Sequence, residues 1–274
     1  MTRSPFATVS GKRLILLPLF FLLACAQSIQ AQDTQREHFQ IKVGTAYDRG
    51  DYGTSELTQT RYFPVTFRYL GKKFDASVTP ALARAESSGG VVLIDGVPTP
   101  IGPGTGELQQ TQYGAGDTMV RGHYYLVEGT TRRPSITPFA KIKIPTSPES
   151  LNLSTGKTDA GVGVEVDHQI SRTLLFGDLS FTYIGKLTGV ELRNQVGASF
   201  GIGQQISKSI ILSGMLDWRR SIVLGNPNPT DLVGVFTFRA SRTISVSPNV
   251  YAGLNSSSAD FGAGLEFSIR FGRY

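Results

Sequence analysis

Cysteine and long apolar segments are both scarce in this chain. It has a single cysteine, Cys25, among its 274 residues, and residues 14–23 form its one sustained apolar run. That run follows a basic start and precedes small residues, and it is too short to cross a membrane comfortably as a helix. It predicts a secretory signal peptide over residues 1–31, which leaves 32–274 as the mature chain. Disulfides are thereby excluded as a stabilising device, since Cys25 lies within the signal.

Two other ways of processing the N-terminus stay open. The Ala24-Cys25-Ala26 pattern permits cleavage after Ala26 instead of Ala31. The stretch Leu22-Leu23-Ala24-Cys25 resembles a lipoprotein cleavage site, which would leave Cys25 as a lipidated N-terminus. A leucine directly before Ala24 fits such a site poorly.

The chain also lacks the excess of positive charge that nucleic-acid binding requires. Lysine and arginine number 27 and acidic residues 21, but three of the basic residues and none of the acidic ones belong to the signal. The mature chain therefore carries 24 basic and 21 acidic side chains, a net charge near +3. This excludes a strongly basic surface, and we expect no nucleic acid as a partner.

What the chain does contain is a succession of segments in which apolar and polar residues alternate. A period of two is typical of a strand with one apolar and one polar face. The last of them, residues 261–271, has the length of about 9 to 11 residues that a tilted strand needs to cross a bilayer. Twelve strands are predicted in all, at 38–47, 61–70, 74–85, 117–127, 135–144, 158–169, 174–184, 192–205, 210–220, 231–241, 244–254 and 261–271.

The connections between these strands alternate in length. Residues 86–116 form the longest odd connection, whereas residues 70–73 and 170–173 are short even ones. An up-and-down barrel of the bacterial outer membrane has long extracellular loops and short periplasmic turns, and a soluble sandwich has no reason to sort its loops in this way. The predicted fold class is all-β, a transmembrane β-barrel of about twelve antiparallel strands in contact with outer-membrane lipid.

Four prolines weaken the strand assignment, because each removes one ladder donor. We expect Pro64, Pro80, Pro138 and Pro248 at strand ends or bulges. Ten or fourteen strands are the alternatives to twelve.

Aromatic residues fit the same fold. On the outward phase, one set would lie near the extracellular rim and another near the periplasmic rim, where aromatic rings are favoured. The extracellular set is Tyr47, Tyr183, Trp218 and Phe261, and the periplasmic set is Phe39, Tyr69, Phe74, Tyr124, Phe238 and Phe271. A last strand ending in an aromatic residue also resembles the signal read by the barrel assembly machinery. Phe271 or Tyr274 would supply it, although Tyr274 is out of phase with Phe271.

The middle of the chain resembles a known group of outer-membrane proteins. The matching elements are the Gly-x-Gly-Asp opening at Gly114 to Asp117, the strand end Lys143-Ile144-Pro145-Thr146, and the strand entry Thr155-Gly156-Lys157-Thr158-Asp159. They are similar to the MetA-pathway of phenol degradation family over residues 114 to 274. The resemblance implies a transporter-like outer-membrane barrel with no catalytic residue, and the phenol link comes from the family's name alone.

Placing the apolar phase in lipid turns charges of both signs toward the lumen. Pairing strands through the 145–157 loop brings Lys143 near Asp159 and Lys141 near Gly161. Buried charges have to be paired or hydrated, so they either hold a filled barrel together or line a wet path. The candidate pore-lining residues are Arg121, His123, Lys141, Lys143, Asp159, Glu165, Asp167, Asp217, Arg219, Arg239, Glu266 and Arg270.

Two further features bear on whether the lumen is open. Inward-phase glycines either leave room in the lumen or relieve strain where strands coil sharply; they are Gly161, Gly163, Gly197, Gly201, Gly203, Gly262 and Gly264. Residues 89–106 hold an apolar run that we expect to fold into the barrel mouth, as a gate or a platform for apolar substrates. The alternative is a surface hairpin with Asp95-Gly96 at its turn.

Residues suited to catalysis or metal binding are sparse. His38, His123 and His168 have no neighbours at metal-ligand spacing, and inward-facing His123 is expected to join a polar network rather than act as a base. No catalytic residue, metal or cofactor is assigned. We predict an outer-membrane channel or transporter for small solutes, aromatic or apolar ones among them. A structural barrel with a packed lumen is the alternative, and a lipid-modifying barrel enzyme is a third hypothesis.

Overall fold

The computed structural model describes residues 38–272, except residues 55, 88–89, 95, 102–109 and 188–189. The predicted signal peptide, Cys25 and Tyr274 lie outside the described residues. Within the described ranges, no helix has the length and apolar character needed to cross a membrane.

The described residues are mostly extended. Their sixteen strands are β1 (His38–Gly50), β2 (Thr58–Leu70), β3 (Phe74–Thr79), β4 (Ala81–Ser87), β5 (Val91–Ile94), β6 (Val97–Pro100), β7 (Gln110–Ala115), β8 (Thr118–Tyr124), β9 (Ser135–Ile144), β10 (Asp159–Ile170), β11 (Thr173–Tyr183), β12 (Gln195–Gln205), β13 (Ile210–Arg219), β14 (Thr230–Arg239), β15 (Ile244–Gly253) and β16 (Phe261–Phe271). One 3₁₀ turn, Glu149–Leu151, lies between β9 and β10.

Fourteen of these strands form one antiparallel sheet that closes on itself. Closure follows because β1 pairs with β2 on one side and with β16 on the other, so that Phe39 lies opposite both Tyr69 and Phe271. β3 and β4 are successive parts of one barrel strand, as are β7 and β8, and the barrel therefore has twelve strands. The predicted fold class and strand number are confirmed.

The connections alternate as predicted. The turns after β2, β10, β12 and β14 span two to four residues. The turn 125–134, after β8, is the longest at that end. The connections at the other end include 145–158, 184–194 and 220–229. We call the first end periplasmic and the second extracellular, by analogy with the usual arrangement of such barrels.

The prolines sit differently from the expectation. Pro64, Pro138 and Pro248 lie inside β2, β9 and β15, and only Pro80 separates two of the described strands. Each lies where the ladder to one neighbour is broken, since the β1–β2 pairs skip Pro64, the β14–β15 pairs skip Pro248, and the β8–β9 pairs stop beside Pro138. A proline inside a barrel strand therefore lacks hydrogen bonds to one neighbouring strand and stays paired with the other neighbouring strand.

A bulge separates β7 from β8. Leu82 pairs with Ala115 and Thr79 pairs with Met119, so two intervening residues face three. The extra residue reverses the phase, and Tyr113 of β7 and Tyr124 of β8 both point outward and are exposed. The sequence-based assignment of this strand, 117–127, matches β8 and misses the extracellular part of the strand, because it left β7 inside the 86–116 loop.

The outer surface of the barrel is apolar. Exposed large side chains on it include Phe39, Phe67, Leu179, Phe200 and Val250. A surface of this kind is a liability in water and suits the lipid face of a transmembrane barrel. At the periplasmic rim the ring of Tyr69 lies 5.4 Å from that of Phe39 and 5.7 Å from that of Phe74, which is part of the predicted aromatic girdle.

Candidate functional site

A short hairpin fills the extracellular mouth of the barrel. β5 and β6 pair with each other in a sheet separate from the barrel wall, and all four β5 side chains are buried. Gly96 has a φ of 73°, the left-handed conformation that such a tight turn favours. In the described part of this segment the two alternatives combine, because β5 and β6 form a hairpin and that hairpin lies within the mouth. Asp95 lies outside the described residues.

One face of the hairpin packs on the loops above β1 and β9. Val91 and Leu93 belong to a buried apolar cluster with Tyr52 and Leu153. The backbone N–H of Leu93 donates to the carbonyl of Leu153 at 2.9 Å. This side of the hairpin is anchored by one backbone bond and by apolar packing.

The other face packs on the loops above β11 and β13. Ile94 belongs to a second buried cluster with Ile184 and Ile222. These two loops are joined to each other, since Arg193 donates its backbone N–H to the carbonyl of Ile222 at 2.8 Å and its Nε to the carbonyl of Ser221 at 2.6 Å. The hairpin is thus wedged between loops and does not pair with any barrel strand within the described residues.

Beneath the hairpin lies a chamber of about 160 Å³. A cavity of about 150 Å³ holds a molecule the size of benzene. Apolar atoms reach the chamber from Ile94, Val97, Pro98, Tyr52, Phe139 and Tyr251. Charged side chains in its lining are Arg121, Lys141, Glu165, Asp178, Asp217, Arg219 and Asp231.

The wall of the chamber on β13 and β14 is acidic. The Arg219 guanidinium lies 2.5 Å from an Asp231 oxygen and 2.9 Å from an Asp217 oxygen. Asp48 stands nearby, close enough for its charge to interact with those of Asp231 and Arg219. Two carboxylates therefore share one guanidinium, and a third carboxyl group stands nearby.

Tyr52 closes the acidic wall from the loop after β1. It is 2% exposed and has a φ of 53°, an uncommon conformation for a bulky residue. The loop holds it there through two hydrogen bonds to Asp51, from the N–H of Gly53 at 2.9 Å and from the hydroxyl of Thr54 at 2.6 Å. Burial raises the pKa of the Tyr52 phenol well above its ordinary value, so the group stays neutral.

The wall on β8 and β9 is basic. Arg121 and Lys141 lie directly opposite each other on the two strands, and like charges in such a pair repel. The guanidinium of Arg121 stacks over the ring of Phe139 at 5.2 Å. β8 and β14 are six strands apart around the barrel by either route, so the Arg121 and Asp231 walls face each other across the lumen.

Lys143 forms a separate cluster at the top of β9. Its Nζ lies 2.8 Å from Asp159 and 3.2 Å from Asp117 and donates to the Thr155 hydroxyl at 2.9 Å. The register pairs Lys143 with Asp159 and Lys141 with Gly161, which confirms the predicted strand pairing. This lysine is nearly fully buried, and its ion pairs lie against the barrel wall and not in the chamber.

The periplasmic half of the lumen contains a cluster around Asp75. The carboxylate of Asp75 is 1% exposed and accepts hydrogen bonds from Arg68 at 2.7 and 2.9 Å, from Tyr125 at 2.7 Å and from His123 at 2.9 Å. The second ring nitrogen of His123 lies 3.3 Å from Glu165. Both nitrogens of His123 therefore meet carboxylates, as expected of a network member.

The predicted pore-lining residues thus separate into groups. Arg121, Lys141, Glu165, Asp217 and Arg219 line the chamber, whereas Lys143 and Asp159 form the cluster at the top of β9. His123 and Glu266 lie in the periplasmic half, where Glu266 pairs with Lys42 at 3.4 Å. Asp167, Arg239 and Arg270 lie in the periplasmic parts of β10, β14 and β16. Their pore-lining role stays a prediction.

Several inward glycines do not leave open space. A Cβ atom on Gly163 would lie 2.5 Å from the ring of Phe139, and one on Gly201 would overlap the ring of Phe176. Such glycines let aromatic rings lie flat against the inner wall. The interpretation that they widen a path is therefore wrong at these positions.

Solved structures share this architecture, although no family model matches the chain and no curated protein matches it in sequence. An outer membrane channel from Pseudomonas putida F1 is 11% identical with a TM-score of 0.57, and the alignment covers 96% of this chain and 100% of that one. The KdgM porin is 10% identical with a TM-score of 0.50, over 84% of this chain and 99% of the porin. The NanC porin is 9% identical with a TM-score of 0.50, over 85% and 100%.

Identities this low establish the fold alone. Together with the closed twelve-stranded wall and its apolar exterior, they identify the chain as a β-barrel of the bacterial outer membrane, as predicted. The more specific resemblance to the phenol degradation family stays a prediction.

Proposed function

We propose that this barrel is a channel for small solutes and that the β5–β6 hairpin is its gate. The observation that carries the proposal is the chamber of about 160 Å³, which lies under a segment that can leave without breaking any barrel ladder. Charges of both signs and apolar atoms line it, and such linings are typical of selective pores. The named channel and the two porins support the proposal by their fold.

Conductance of the refolded mature chain in a planar bilayer tests this function. The variant to compare replaces residues 91–100 by two glycines, because this removes the hairpin and leaves Gly90 and Ile101 to close the loop. We expect discrete current steps that become larger in the variant. A control variant shortens the periplasmic turn 128–133, which does not touch the mouth, and should conduct like the parent chain.

The alternative, a structural barrel with a packed lumen, has one observation in its favour. Much of the periplasmic lumen is occupied by paired charges such as Lys42–Glu266 and Arg68–Asp75. If neither the parent chain nor the hairpin deletion conducts, while heat-modifiable gel migration shows both to be folded, the lumen is packed and the channel proposal is wrong.

We also propose that the chain is not an enzyme. His123, the strongest base candidate, meets carboxylates at both nitrogens instead of a hydroxyl nucleophile. Phospholipid turnover that disappears in His123→Ala would contradict this.

A further inference from the structure

We infer that the acidic wall of the chamber binds the protonated amino group of a small organic solute with an apolar or aromatic body. The inference names the class of solute that the proposed channel carries, and it rests on the proposed channel function. The inference comes from polar atoms that the fold buries at the chamber without giving them partners.

Three oxygen atoms carry the inference. Three buried oxygens, the carboxylate Oδ1 of Asp231 and the hydroxyls of Tyr52 and Ser257, accept or donate no hydrogen bond among the residues that the structure describes. All three residues line the chamber, and they are only 4%, 2% and 2% exposed. A buried polar group without a partner costs free energy, so three of them lining one cavity favour the binding of a polar group there.

The fold brings the three residues to one place. Ser258, next to Ser257, accepts a hydrogen bond from the Thr230 N–H at 2.9 Å and donates one to the Thr230 carbonyl at 3.1 Å. These bonds hold the loop that carries Ser257 against Thr230, the residue before Asp231. Tyr52 lines the same chamber as Asp231 and Ser257, and the charge of Asp231 acts on its phenol.

The local charge determines the sign of the ligand. Asp217 and Asp231 outnumber Arg219 two to one, and a third carboxyl group, that of Asp48, has no ion-pair partner in the described part of the chain. Among the described residues its carboxylate accepts one hydrogen bond, from the Thr60 hydroxyl at 3.2 Å, and its Oδ1 has no partner. A cation placed here gains from every carboxylate, whereas an anion would be repelled.

The donor set favours an ammonium group over a metal ion. Among the described residues, no group of three or more acidic, histidine or cysteine side chains converges closely enough to hold a metal. An ammonium group has three N–H donors, which match one carboxylate oxygen and two hydroxyl oxygens. Ile94, Val97 and Phe139 on other parts of the lining provide apolar contacts for the rest of the solute.

Calorimetric titration of the refolded mature chain with three single-ring probes tests the site. Benzylamine carries the cation, benzyl alcohol is its neutral counterpart and benzoate carries the opposite charge. We expect benzylamine to bind and the other two to bind at least about tenfold more weakly, the equivalent of losing one charged hydrogen bond. Equal binding of benzyl alcohol would overturn the inference.

Variants locate the binding on these oxygens. Asp231→Asn should weaken benzylamine binding by about tenfold or more, and Tyr52→Phe and Ser257→Ala, which remove single hydroxyl groups, should each weaken it by a few-fold. Glu128→Gln, an exposed carboxyl in a periplasmic turn, is the matched control and should bind like the parent chain. Unchanged affinity in both Tyr52→Phe and Ser257→Ala would overturn the site even if Asp231→Asn fails to fold.

The same titrations distinguish a failed site from a failed channel. Each is repeated on the variant that lacks residues 91–100, so that slow entry past the hairpin is not mistaken for absence of binding. Binding of benzylamine without any conductance would refute the channel and leave the site, whereas conductance without benzylamine binding to either protein would refute the site alone.

Discussion

The lumen contains two charged regions that balance their charges in opposite ways. Around Asp75 one carboxylate receives hydrogen bonds from three side chains, those of Arg68, His123 and Tyr125. At the acidic wall a single guanidinium is shared among carboxylates, and oxygen atoms are left over. Complete pairing makes the first region a structural support. Incomplete pairing makes the second region receptive to a cation.

The largest expected effect is on stability, from Asp75→Asn. The amide cannot neutralise Arg68, and a buried guanidinium without its partner costs about 3 kcal/mol or more. We expect the free energy of unfolding, measured by urea titration in detergent or lipid, to fall by about that amount, with benzylamine binding retained at low denaturant. If Asp75→Asn lowered the free energy of unfolding by less than Asp48→Asn does, the distinction between the two regions would be wrong.

An intermediate effect is expected from Arg121→Glu, on ion selectivity. The change turns the like-charged cross-strand pair Arg121–Lys141 into an opposite pair and removes a positive charge from the chamber. The permeability ratio of potassium to chloride, from reversal potentials across a salt gradient, should rise severalfold. Arg132→Glu, on an exposed periplasmic turn, serves as the control. An unchanged ratio would mean that ions do not pass the chamber.

The smallest effect on stability is expected from Asp48→Asn. Asn can still accept the hydrogen bond from Thr60, and the change removes a buried carboxyl group that is costly to desolvate. We expect the free energy of unfolding to stay within about 1 kcal/mol of the parent value or to increase, while benzylamine binds more weakly. A decrease in the free energy of unfolding as large as that of Asp75→Asn would show that the Asp48 carboxylate has a structural partner.

The sequence was sufficient to predict the barrel because each strand repeats the same local rule. Alternation placed Lys141 and Lys143 on the inner face, and the length of the following loop set the register that joins Lys143 to Asp159. Both inferences use only a period of two and a single hairpin. They needed no information from distant parts of the chain.

The acidic wall could not be predicted because it depends on contacts between distant strands. Asp48 lies just beyond the predicted end of the first strand, since β1 continues to Gly50. Nothing local places Tyr52 or Ser257 beside Asp231. Asp75 could have been found, because it alternates with outward Phe74 in a predicted strand. Arg68 faces it across the short turn after β2, but its contact with His123 follows only from the pairing of β3 with β8.

The pairing of β1 with β16 determines what happens to the protein when the barrel cannot close. Phe39 meets Phe271, and all of the barrel's other strand pairs are complete without this one. A chain truncated before β16 would therefore expose two unprotected strand edges, on β1 and on β15, flanked by apolar side chains. Such edges are templates for joining further chains, so we expect the truncated protein to aggregate instead of persisting as a smaller barrel.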